Sequence, residues 1–296
     1  MAKDTQQEMF GGAWTQQKLN CLQSYLREYS RIFAKNEKAK FFTTHYVDAF
    51  AGTGYLQSDL EEPNLFPELL EDAEQYKKGS AVRALEVNPP FGHYLFIERN
   101  VDRASELSQL KAKFPDKAAR IEVINESANT ALKSWLDKTN WVKNRAVVFL
   151  DPFGMSVDWE MLKRIADTRA IDLWYLCPIF AINRMLVKNQ LPPEAWQRRL
   201  TEQFGTEEWK AKFYSENSNP ALLEELASTT NFVKTATYRT VRDFLISRLN
   251  SIFKAVSEPL VLSNSKGSPL FLFIFAAGND KGANAGLRIA KHLIGG

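Results

Sequence analysis

The run Asp48-Ala49-Phe50-Ala51-Gly52-Thr53-Gly54 holds most of the chemical information in this sequence. Glycines just beyond a strand let the backbone pass close to a bound ligand, with no side chain in the way. The plainer reading of Gly-x-Gly is a tight turn from strand to helix. Asp48 argues for more, because a carboxylate inside a buried strand is costly without a partner. Gln57 stands where a dinucleotide fingerprint would carry its third Gly or Ala, which disfavours a nicotinamide-dependent oxidoreductase.

Two further clusters follow at strand ends. Glu98 closes an apolar run and suits an acceptor for ribose hydroxyls, but it lies much farther from the glycines than the roughly 20 residues usual for that role. An insertion over residues 56–90 accounts for the distance; without one, Glu98 reads as a surface carboxylate. Asp151-Pro152-Phe153-Gly154 follows the apolar stretch at 145–150. A carboxylate or carbonyl there can accept from an amine, the aromatic ring can stack on a base, and proline fixes the backbone. An Asp-Pro turn ending the strand is the alternative.

The elements that must position these residues alternate. Apolar spacing of three and four predicts a helix from residue 15 to 36, with Thr15 as its cap. Strands are expected at 43–50, 93–98, 121–125, 145–150 and 171–177, with helices at 101–113, 128–137 and 159–167. That alternation implies a parallel sheet covered on both faces, with ligands at the carboxyl ends of its strands. Residues 240–253 read as a helix, 260–262 and 270–277 as a closing hairpin, and the end as a last helix. The expected organisation is a mobile tail over 1–14 and an α/β domain over 15–182 and 238–296. A helical extension over 183–237 interrupts it.

The chain has 296 residues, and 38 Lys and Arg against 35 Asp and Glu leave a surplus of three. This surplus does not by itself indicate nucleic-acid binding, which usually shows a concentrated basic stripe, though it permits an anionic partner. Cys21 and Cys177 are far apart, and His45, His93 and His292 have no ligand spacing, so neither a disulfide framework nor a metal site is expected. The start lacks the apolar core of a signal peptide, and the longest apolar run is too short to span a bilayer. A cytoplasmic setting is the expectation.

Asp48-x-Phe50-x-Gly52-x-Gly54, Glu98 and Asp151-Pro152-Phe153-Gly154 resemble the successive motifs of class I S-adenosylmethionine methyltransferases. The last is similar to the Asp-Pro-Pro-Tyr type found in enzymes that methylate exocyclic amines of nucleic acids. More closely, the chain resembles the three-Cys-motif partner (TcmP) family, through YVDAFAGTG (46–54), FIERN (96–100), VVFLDPFGMSVDW (147–159), AIDLWYL (170–176) and FAAGNDKG (275–282). The resemblance implies a Rossmann-like methyltransferase fold, S-adenosylmethionine as cofactor and a protein partner carrying a three-Cys motif. It places Asp48, Phe50, Gly52, Gly54, Glu98, Asn125, Glu126 and Ser127 around the cofactor, and Asp151 to Gly154 at the target amine. The family tends to show Asn-Gly-Asp-Ala-Asn in the third motif, where this chain has Asn125-Glu126-Ser127-Ala128-Asn129. Ser127 thus replaces the acidic residue expected at the adenine. A methyltransferase-fold binding partner without turnover is the second reading.

Overall fold

The computed structural model describes residues 12–52, 78–152, 154–216, 232–264 and 266–295. Gly54, Phe153, Gln57 and most of the segment expected as an insertion lie outside the described residues.

Five short apolar segments form parallel strands: β1 (Thr43–Asp48), β2 (His93–Ile97), β3 (Ile121–Ile124), β4 (Asn144–Leu150) and β5 (Ile171–Cys177). They pair in the order β3-β2-β1-β4-β5. The central strands are buried on both faces, which is why β4 and β5 read as nearly unbroken apolar runs. β6 (Tyr214–Glu216) and β7 (Phe232–Lys234) form a separate antiparallel ribbon. β8 (Ala255–Val256), β9 (Leu260–Ser263) and β10 (Pro269–Ala277) complete the main sheet. β10 runs antiparallel between β5 on one side and β8 and β9 on the other. This is a Rossmann-like, mostly parallel sheet with a C-terminal antiparallel hairpin.

Helices cover both faces, making three layers. On one face lie α1 (Gly12–Lys35), α2 (Lys78–Leu85), α3 (Val101–Ser108), α4 (Leu110–Lys113) and α11 (Ala283–Gly295). Leu22, Tyr25 and Leu26 of α1 pack there on Tyr46, Phe149, Trp174 and Phe275. On the other face lie α5 (Ala128–Lys138), α6 (Trp159–Asp167), α7 (Ile179–Met185), α8 (Glu194–Phe204), α9 (Trp209–Phe213) and α10 (Tyr238–Asn250). Side chains start three of these helices. Ser127, Asp158 and Thr237 accept hydrogen bonds from the backbone N–H groups of Thr130, Met161 and Thr240.

Several expectations change in detail. α1 begins at Gly12, so Thr15 is a buried residue within the helix rather than its cap, and the boundary expected at 14/15 falls inside a helix. The boundary at 182/183 likewise falls inside α7. Gly79 and Ser80, within the segment expected as an insertion, lie in α2, whose Ala81, Ala84 and Leu85 pack under the sheet. The stretch 101–113 divides into two helices near Gln109. The β6–β7 ribbon interrupts the segment expected to be helical throughout. Such a three-residue ribbon carries too little alternation to be read from periodicity.

Candidate cofactor and substrate cleft

β1 lies where the strand order reverses, flanked by β2 and β4. In sheets of this kind ligands bind in the crevice outside the carboxyl ends at that reversal. Asp48 is the last residue of β1 and is fully buried, level with Phe96 of β2 and Phe149 of β4. Glu98 and Asp151, each two residues farther along, therefore flank it on either side.

Beyond Asp48 the backbone crosses from one neighbour to the other. The Ala49 N–H donates to the Phe149 carbonyl at 3.2 Å, and the Ala51 N–H donates to the Ile97 carbonyl at 3.0 Å. This brings Gly52 against the side chain of Glu98. A Cβ at Gly52 would collide with Glu98 Oε2 and sit 2.8 Å from its Cδ. Only glycine leaves that approach open. Glu98 is 2% exposed, so it is not the surface carboxylate of the alternative reading. The backbone N–H of Asn100 donates to its Oε1 at 2.8 Å.

Asn125 follows β3 and binds this turn from the other side. Its Nδ2 donates to the carbonyls of Glu98 and Arg99, both at 2.8 Å. Glu126 is exposed. The Ser127 hydroxyl accepts from the Thr130 N–H at 3.2 Å and lies 2.8 Å from Thr130 Oγ1, serving the helix start.

On the β4 side, Asp151 is 7% exposed and Pro152 is buried. Gly154 has φ of 59°, a left-handed conformation that disfavours side-chain-bearing residues and gives this motif its terminal glycine. Asp48 and Asp151 share the face covered by α1. There Lys18 Nζ lies 2.8 Å from Asp151 Oδ2 and 5.4 Å from the Trp14 ring centroid. The Phe50 N–H donates to Asp48 Oδ1 at 3.3 Å, and the Tyr46 hydroxyl donates to Oδ2 at 3.5 Å. Burial first, and then the charges of Asp48 and Asp151, hold the Tyr46 hydroxyl well above the ordinary tyrosine range. It stays protonated, a donor toward the cleft.

The structure thus brings together Asp48, Phe50, Gly52, Glu98 and Asn125 on one side of the crevice, and Asp151, Pro152 and Gly154 on the other. Lys18 and Tyr46 were not singled out from the sequence. Lys18 had a signal, since it falls on the apolar stripe of α1 one residue before Leu19, and a lysine on a buried stripe needs an acidic partner. Tyr46 sits two residues before Asp48 on the same strand face, a period-two relation that marks it as a neighbour.

No family model matches the chain, and no curated protein matches it at a significant level. Among solved structures it is similar to protein LPL1258 of Legionella pneumophila str. Philadelphia 1, of the family model DUF519. That likeness has 14% identity over 79% of this chain and 92% of the other, at a TM-score of 0.35. It is also similar to the N-terminal domain of EvdMO1, whose structure was determined in the presence of SAH and D-fucose. There the identity is 10% over 85% of this chain and 82% of the other, again at a TM-score of 0.35.

Proposed function

We propose that this chain is an S-adenosylmethionine-dependent methyltransferase of the three-Cys-motif-partner type, acting on an exocyclic amine in nucleic acid together with a protein partner. The observation that carries this reading is the packing of Gly52 on the Glu98 carboxylate beside Asp48, at the strand-order reversal. A Cβ at Gly52 would collide with that carboxylate, so glycine is what lets the backbone lie against the acid that would hold the ribose.

Asp48 and the backbone at Gly52 would hold the amino-acid end of the cofactor, and Glu98 the ribose. Asn125 keeps the Glu98–Arg99 turn in place, and Glu126 and Ser127 border the adenine side. The bound cofactor supplies an activated methyl group whose sulfonium leaves as a neutral thioether. Asp151 would accept an N–H of the target amine and aim its nitrogen lone pair. Pro152 and Gly154 fix the backbone that presents this carboxylate. Lys18 pairs with Asp151 and holds it in one orientation, so the chain contributes positioning more than proton transfer.

A second reading, a methyltransferase-fold partner without turnover, has its own support. The Ser127 hydroxyl is committed to a helix start, and Lys18 already occupies one oxygen of Asp151. Calorimetric titration with S-adenosylmethionine and its demethylated product separates the two, with Gly52→Leu as control. Micromolar affinity lost in the control, followed by methyl transfer to RNA or DNA that Asp151→Ala abolishes, is the expected result. Absence of binding at millimolar ligand overturns the stand-alone enzyme and leaves the partner reading.

A further inference from the structure

Five parallel strands place their amino ends on one edge, opposite the cleft, and three segments distant in sequence meet there. Residues 35–42 lead from α1 into β1, residues 111–120 lead through a 3₁₀ turn (Ala118–Arg120) into β3, and residues 138–145 lead from α5 into β4. The Thr43 N–H donates to the Lys143 carbonyl at 3.0 Å, and Arg120 Nη1 donates to the Phe91 carbonyl, just before β2, at 3.2 Å. The first bond joins the segments before β1 and β4, and the second ties the segment before β3 to the start of β2, where the Gly92 N–H donates to Thr44 Oγ1 of β1 at 3.1 Å.

Their charge is lopsided. The 26 residues hold ten Lys or Arg against two acidic residues, a surplus of eight. The chain's total surplus is three, so the remaining residues carry a deficit of five. Favourable placement at helix C-termini accounts for Lys35, Lys113 and Lys138. It does not account for Lys38, Lys40 and Lys143, which are exposed loop residues. Among the described residues no carboxylate forms an ion pair with Lys38 or Lys143, while Lys40 pairs with Glu37. Phe41 stands 67% exposed between these lysines, and Val142 is 75% exposed one strand away. Behind Phe41, the Phe42 ring is fixed by the Arg145 guanidinium, 3.8 Å from its centroid.

We infer that this edge is a phosphate-backbone binding surface for nucleic acid, with Phe41 offering a face on which a base can stack. Lysine point charges spread over several loops suit a flexible polyanion, whereas protein interfaces are depleted in lysine. Exposed aromatics between basic residues bind single strands without sequence preference. β1 has six residues, so the edge lies about 20 Å from Asp48, and it is a separate surface from the cleft. The inference bears on the substrate class proposed above but does not depend on cofactor binding.

The test is fluorescence anisotropy with labelled single-stranded RNA, single-stranded DNA and duplex DNA, each about 20 nucleotides long, at about 50 and 200 mM salt. A triple reversal, Lys38→Glu with Lys40→Glu and Lys143→Glu, is compared with a matched reversal at exposed lysines away from this edge, Lys163, Lys266 and Lys291. The edge variant is expected to lose at least about tenfold in affinity and to flatten the salt slope by about two, with the matched variant changing much less. Phe41→Ser should weaken the single strands more than the duplex. Equal losses in both triple variants, no nucleic-acid binding by the wild type, or tighter binding of an acidic polypeptide than of nucleic acid would overturn the proposal. S-adenosylmethionine titration of the edge variant keeps the two hypotheses apart, since its cleft is intact.

Discussion

Lys18 Nζ and Asp151 Oδ2 lie 2.8 Å apart, with their side chains only 6% and 10% exposed. One partner comes from the first helix and the other from the end of the fourth strand, 133 residues on. The pair fastens α1 over the carboxyl edge of the sheet and fixes the carboxylate on which the proposed chemistry depends. Removing one member of a buried ion pair is costly because it strands the other charge, whereas replacing both members can be nearly neutral.

Lys18→Met should therefore destabilise the fold by about 3 kcal/mol, and Asp151→Leu by a similar amount. The double variant should lose clearly less than their sum. Urea denaturation of all four proteins measures the coupling, and strict additivity would show that the pair does not act as a unit.

Gly52→Ala forces Glu98 to move, because the new methyl group would meet its carboxylate. The expected loss is tenfold or more in cofactor affinity, with about 1 to 3 kcal/mol of stability. Combining it with Glu98→Asp, which shortens the opposing side chain, should restore stability and leave the cofactor affinity low. Calorimetry and thermal unfolding of the double variant report the two quantities separately.

Ser127→Asp should keep the start of α5, since Asp caps helices as well as Ser, whereas Ser127→Ala should cost about 1 kcal/mol. The new carboxylate stands where the related motif has an acidic residue. Affinity for S-adenosylmethionine is expected to rise severalfold at unchanged stability. A weaker complex would show that the serine is not a deficit at that position.

Asp172 on β5 accepts from the Tyr25 hydroxyl at 2.7 Å, and burial raises its pKa from 3.8 to about 6 despite that bond and the Arg145 charge. The native state binds this proton more tightly than the unfolded chain does. Its contribution to stability is thus full below about pH 4 and is lost as pH rises through about 6. Asp172→Asn keeps an acceptor for Tyr25 and removes the titration. Denaturation between these pH values should show the wild type losing on the order of 1 to 2 kcal/mol relative to the variant. Parallel pH profiles would refute the assignment.

The strands and the glycine turn were legible in the sequence because their determinants are local. An apolar run such as 145–150 can hide only in the middle of a covered sheet, and Asp48 with Gly52 declares a strand end where the backbone makes a close approach. Glu98 was legible as an acid after a strand, but whether it lay at the surface or in the cleft depended on the path of the β1 loop. Local periodicity also gave α1 its length within a turn or so. It could not show that Lys18 on that helix reaches Asp151, nor that Ser127 spends its hydroxyl on Thr130. The basic edge was invisible for the same reason: its residues lie in three segments whose meeting is set by strand order. Side-chain type and short-range spacing determine which elements form; the pairing of parallel strands, fixed by contacts distant in sequence, decides which charges become neighbours.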